Sequence, residues 1–159
     1  MTRPGLTAAG SDEPAELATL HRLAATGVDN TDDMDITCVT IDCHDPSKVA
    51  AFWNKALGWG GVAIATDGSG AVCGPAQGGP YLEMVRVPED KVVKNRVHLG
   101  CTAGPLGELD AEIERLLRLG ATIAWEEELS SEVAAAYRNV VLRDPGGNEF
   151  CLSGGAHPA

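Results

Sequence analysis

Two kinds of hydrophobic pattern alternate along this chain, and the alternation then repeats. "DITCVTIDC" (35–43) is rich in β-branched residues and reads as a strand. In "SKVAAFWNKALG" (47–58), Val49, Phe52, Trp53, Ala56 and Leu57 form a stripe that predicts a helix. Asp45 and Pro46 suit its start and Gly58 its end. The short pieces "GVAIA", "AVCG" and "PYLEMVRV" follow as strands between glycine-rich turns, of which "GPAQGGP" (74–80) is one. Then the order restarts. "NRVHLGCTA" (95–103) reads as a strand, and "LGELDAEIERLLRLG" (106–120) as a helix. Its stripe is Leu109, Ile113, Leu116 and Leu117, and Gly120 stops it. "ATIAW" gives a further strand, and "AAYRNVVLRD" with "NEFCLS" makes a hairpin across "PGG".

Both halves therefore read β-α-β-β-β. Such a repeat predicts an α+β fold: two tandem modules, neither able to close a core alone, curving around a shared cavity. Module one is placed at 35–87 and module two at 95–153, together forming one domain over 35–153, with 154–159 as a tail. Residues 1–34 form an N-terminal extension. Within it, Ser11 or Asp12, Pro14 and Gly27 bracket a short helix with Leu17, Leu20, Leu23 and Ala24 on one stripe.

Composition narrows the function. Twelve basic residues against 23 acidic ones give a net charge of −11, which repels phosphate backbones and excludes general nucleic-acid binding. No apolar run approaches the ~18 residues of a membrane span. The first residues lack the apolar core of a secretion signal, so the reading is cytoplasmic. The five cysteines, Cys38, Cys43, Cys73, Cys101 and Cys151, are odd in number, widely spaced and free of C-x-x-C pairs. That favours reduced thiols over a disulfide framework or a zinc ribbon.

"DCHDPSKVAAFWNKALGW" with "KNRVHLG", and "LDAEIERLLRLGA" with "LRDPGGNEFCL", carry a family resemblance. Together these segments resemble the glyoxalase-like branch of the vicinal oxygen chelate superfamily, over residues 35–153. The resemblance implies an open, incomplete barrel, a homodimer and a small-molecule ligand. In metal-dependent members the ligands come from the first and last strands of each module, and the ion acts as a Lewis acid on neighbouring substrate oxygens. Carried onto this chain, those positions are Cys38, Glu83, His98 and Cys151. The repeat supports the placement: 45 residues separate the first pair and 53 the second, the difference matching the acidic insertion "EEELSSEV".

Thiolate, imidazole and carboxylate together suit zinc rather than magnesium or calcium. The other reading is a pocket without metal, in which Cys38 and Cys151 are packing residues. His98 and Glu83 are the candidate catalytic pair, as acid and base or as ligands. Strand parity adds Thr40 beside Cys38, Arg96 and Gly100 beside His98, and Glu149 and Ser153 beside Cys151. Thr40, Arg96, Glu149 and Ser153 are thus candidate substrate-binding residues, and Arg96 suits either an anionic ligand or a pair with Glu83 or Glu149. Trp53, Trp59 and Trp125 are expected in the core. Two functions fit this set. One is a small-molecule enzyme performing isomerase or lyase type proton transfer on an oxygen-rich metabolite in the inter-module cavity. The other is a non-catalytic drug- or metabolite-binding protein.

Overall fold

The first strand, β1 (Cys38–Cys43), does not pair with its neighbour in sequence. It lies parallel to β4 (Tyr81–Arg86), after a crossover through helix α1 (Pro46–Ala56) and strands β2 (Gly61–Ile64) and β3 (Gly70–Gly74). The sheet order is β1-β4-β3-β2. Module two repeats this with β5 (Leu99–Thr102), α2 (Leu109–Leu119), β6 (Thr122–Glu126), β7 (Tyr137–Arg143) and β8 (Glu149–Gly155), in the order β5-β8-β7-β6. Neither sheet closes on itself. The computed structural model describes residues 35–127 and 136–156. The expected N-terminal helix and most of the acidic insertion lie outside them.

Local chemistry sets the helix ends. The Asp45 carboxylate accepts from the Lys48 N–H at 3.1 Å, satisfying one of the first-turn donors of α1. Gly120 ends α2 at φ 109°, a left-handed conformation that glycine adopts without steric cost. Arg115 of α2 donates to the carbonyls of Lys55 and Ala56, at 3.2 and 2.8 Å, and so covers the C-terminus of α1.

One core joins the modules. Phe52 and Trp53 of α1 meet Phe150 of β8 at ring-centroid distances of 5.9 and 4.9 Å, contacts worth about 1 kcal/mol each beyond the buried area. The Trp53 indole N–H donates to Asp144 Oδ2 at 3.0 Å, linking α1 to the β7–β8 turn. Trp53 is thus a core residue, as expected, while Trp59 and Trp125 are half-buried.

Two boundaries differ from the sequence reading. β5 begins at Leu99, not near Asn95, because the groups of Asn95 turn toward the β7–β8 hairpin rather than to a ladder. β8 runs to Gly155, into the segment read as a tail, because Gly155 pairs with Tyr137 and its N–H donates to the Gly104 carbonyl.

Candidate functional site

Alternation along the strands decides which side chains meet the helices and which do not. In β1, Ile41 and Cys43 are buried toward α1, whereas Thr40 and Asp42 are exposed on the opposite, open face. In β4, Leu82 and Met84 are buried and Glu83 lies opposite. In β8, Phe150 and Leu152 enter the core, leaving Glu149, Cys151 and Ser153 on the open face.

Thr40 and Glu83 are register partners, and Thr40 Oγ1 donates to Glu83 Oε2 at 3.1 Å. Cys38 sits one step along the same face, opposite Tyr81. The partner of Glu83 across the ladder is therefore the hydroxyl, not the thiol. On the second sheet, His98 enters just before β5, and its Nδ1 lies 3.8 Å from Cys151 Sγ. The other ring nitrogen, Nε2, is 3.1 Å from the Asn95 carbonyl. A carbonyl only accepts, so in the neutral ring the proton belongs on Nε2 and a lone pair on Nδ1 faces the thiol.

A polar chain holds this arrangement. Glu149 Oε2 accepts from the Asn95 N–H and from Lys91 Nζ, each at 2.9 Å, and Arg143 Nε lies 3.6 Å from Oε1. Asn95 Nδ2 donates to Asn148 Oδ1 at 3.2 Å. Burial pushes the Glu149 carboxyl up, but the Asn95 N–H and the Lys91 ammonium outweigh it and hold the group at about 2. Glu149 thus braces the residue whose carbonyl orients His98. Nearby, the Trp125 ring lies 6.4 Å from the imidazole, with Lys94 Nζ 4.8 Å above its centroid.

The remaining candidates are scattered. Arg96 does not share a strand face with His98, because residues 96–97 form a bend, and its side chain is exposed. The cations on Glu149 are Lys91 and Arg143 instead. Ser153 Oγ donates to the Cys101 carbonyl at 3.2 Å and faces Asn139 across the ladder. Gly100 pairs with Cys151, and a side chain there would meet nothing within 4 Å. Asn95, Lys91 and Asn139 were not singled out from the sequence. The one available signal was a basic run, "KVVKN", in an acidic chain.

Two hollows lie beside Thr40, Asn95 and Glu149, and the walls of neither include Glu83, His98 or Cys151. A cavity of about 250 Å³, lined by Val39, Thr40, Trp53, Asn95, Leu99 and Glu149, lies between the edge strands of the two sheets. A broader groove of about 1320 Å³ runs under segment 87–97, with Lys94, Arg96, Trp125, Arg143 and Glu149 on its walls.

Within one chain, the implied metal ligands divide between the two sheets, Cys38 and Glu83 on the first and His98 and Cys151 on the second. Among the described residues no three His, Cys, Asp or Glu side chains are placed to hold one ion. This donor arrangement does not fit a tetrahedral zinc site. The thiols also divide by face. Burial pushes Cys43 and Cys101 up to about 11 and Cys73 to about 12, with the Asp144 charge adding to the effect at Cys43 and Cys151 adding to it at Cys101. These three are inert at neutral pH.

Two βαβββ modules with unclosed sheets and a cavity between their edge strands define a protein of the vicinal oxygen chelate kind, the glyoxalase, bleomycin resistance and dioxygenase superfamily. Residues 38–153 match the model of the glyoxalase-like domain, and the chain belongs to that family. Solved structures share the fold. The fosfomycin resistance protein FosX from Listeria monocytogenes, complexed with Mn(II) and a dihydroxypropylphosphonic acid, is 17% identical with a TM-score of 0.59. That match covers 78% of this chain and 92% of the other. A glyoxalase/bleomycin resistance protein/dioxygenase family enzyme from Burkholderia phytofirmans is 15% identical, with a TM-score of 0.58 over 77% and 100% of the two chains. Lactoylglutathione lyase from Agrobacterium tumefaciens is 15% identical, with a TM-score of 0.52 over 77% and 95%. No curated protein matches the sequence. Among the described residues no helix is long and apolar enough to cross a membrane.

Proposed function

We propose that this chain is a small-molecule enzyme that moves a proton on an oxygen-rich metabolite, in isomerase or lyase type chemistry. The observation that carries the reading is the imidazole of His98. Its Nε2–H is committed to the Asn95 carbonyl, which leaves Nδ1 unprotonated toward the open face. A base so oriented can take a proton from a carbon next to a carbonyl. Glu83 is a second proton acceptor, held by the Thr40 hydroxyl. Thr40 and the cavity between β1 and β5 supply the wall against which a small substrate lies. Arg96, on the rim of the groove, suits an acidic group of that substrate.

Solvent-exchange NMR tests this directly. Small 2-oxo and 2-hydroxy carbonyl compounds in deuterated water should gain deuterium next to the carbonyl in the presence of the protein. His98→Ala should slow that exchange on the order of 100-fold. Full exchange in the folded variant would exclude the reading. The groove under segment 87–97 favours a second one, a protein that only binds its ligand: retention of the compound without exchange would support that instead.

We also propose a homodimer working in a reducing, cytoplasmic setting. Val92, Val93 and Val97 are 85, 76 and 80% exposed, an apolar surface suited to a second copy, and the five cysteines are unpaired. A monomer in sedimentation at micromolar concentration would refute the dimer.

A further inference from the structure

Three features share the open face of the second sheet. The Cys151 thiol lies 3.8 Å from His98 Nδ1, the nitrogen that the Asn95 carbonyl leaves free of its proton. The imidazole is held by a braced chain, Lys91 to Glu149 to Asn95, so its lone pair points at sulfur without reorganisation. The third feature is independent of these contacts. Asn139, the ladder partner of Ser153, is 6% exposed, and its Oδ1 has no hydrogen-bond donor among the described residues. It shares the face of Cys151, because Val141, two residues on, is the partner of Cys151. A buried acceptor without a donor costs stability unless something outside the chain satisfies it.

We propose that Cys151 is a base-assisted nucleophile that adds reversibly to a small aldehyde, with Asn139 Oδ1 accepting from the hydroxyl that the addition creates. The proposal stands apart from the proton-transfer reading and shares only His98 with it. In the step, His98 Nδ1 takes the thiol proton as sulfur attacks the aldehyde carbon. The S–C bond forms, the C=O π bond breaks, and the electron pair goes to oxygen. The imidazolium returns the same proton to that oxygen, giving a neutral hemithioacetal with nothing added or lost. Dissociation retraces the path.

The class of electrophile follows from the unpaired acceptor. Addition to an activated alkene would place the proton on carbon and leave Asn139 without a donor. Opening an epoxide would make a hydroxyl, but the resulting thioether would silence the site after one event. Aldehyde addition makes the hydroxyl and stays reversible. Such a bound molecule is short: the diagonal between cross-strand neighbours such as Cys151 and Asn139 is about 7–8 Å between Cα atoms. The other thiols offer no equivalent. Cys43, Cys73 and Cys101 are held protonated by burial, and Cys38 lies on the other sheet.

Two measurements on the intact protein test this. In the first, iodoacetamide alkylation is followed by mass spectrometry at each cysteine. Cys151 should react on the order of tenfold faster than half-buried Cys38 at neutral pH, and His98→Gln should abolish the advantage. In the second, glycolaldehyde labelled with carbon-13 at the carbonyl should give a protein-bound sp³ carbon resonance. That signal should vanish in Cys151→Ser and weaken about tenfold in affinity in Asn139→Leu, which keeps the fast alkylation. Cys151 reacting no faster than Cys38 in the unmodified protein would overturn the proposal. So would a bound resonance surviving in Cys151→Ser, or fast alkylation with no bound resonance at all.

Discussion

Replacing Glu149 with Gln would test the chain that positions His98. The glutamine keeps the shape and can still accept from the Asn95 N–H, but it removes the charge that Lys91 and Arg143 face. In the folded protein the Glu149 carboxyl lies at about 2 instead of 4.5. At about 1.4 kcal/mol per pH unit, that depression is worth on the order of 3 kcal/mol of folding stability. Its sign is fixed: a carboxyl lowered by folding contributes fully above its unfolded value, and the contribution fades as pH falls from 4.5 through about 2. Urea unfolding of the protein and of Glu149→Gln from neutral pH down to about pH 3 measures the difference. The stability gap should be flat near neutrality and close by about 1.4 kcal/mol per pH unit once below the unfolded value. His98-dependent exchange should be impaired in the variant at neutral pH, since Asn95 then loses its charged anchor. A gap that stays constant across the acid range would refute the account of Glu149 as an ionised, stabilising brace.

Two further outcomes concern the scaffold. Trp53→Phe keeps most of the core volume but removes the donor to Asp144, a carboxyl already pushed up by burial despite the Trp53, Asn148 and Gly146 donors. It should destabilise the protein by about 1–3 kcal/mol, read from the shift of the urea midpoint at unchanged m. Gly155→Ala places a side chain at φ 91° and only 1.9 Å from the Ala136 carbonyl oxygen. A loss of about 3 kcal/mol or more in thermal unfolding is expected, and a neutral result would contradict the ladder at the end of β8.

Elements were legible where the deciding interactions are local. The stripe of α1 with Asp45 and Pro46, and the stop of α2 at Gly120, follow from spacing and backbone preference within a turn. The repeat made the module order legible for the same reason: each unit carries its own pattern. His98 and Cys151 were chosen from separate strands and do meet, since parallel pairing of β5 with β8 brings them together. By contrast, β5 was started too early because "NRV" has strand composition, while the groups of Asn95 are claimed by Glu149 and Asn148, 54 and 53 residues away. Arg96 was misplaced by the same error, since parity arguments apply only inside a strand.

The sequence by itself determined two βαβββ units, their apolar faces and the thiol-rich, acidic character of the domain, because periodicity and charge are properties of neighbours. Only the tertiary structure decided the partnerships. It put Thr40 rather than Cys38 beside Glu83, made Glu149 a brace for His98, left Asn139 without a donor among the described residues and turned Cys151 toward the imidazole. The reason is physical. Which polar groups satisfy one another is settled by strand register and burial across tens of residues, and a one-residue change of register would exchange every such pair.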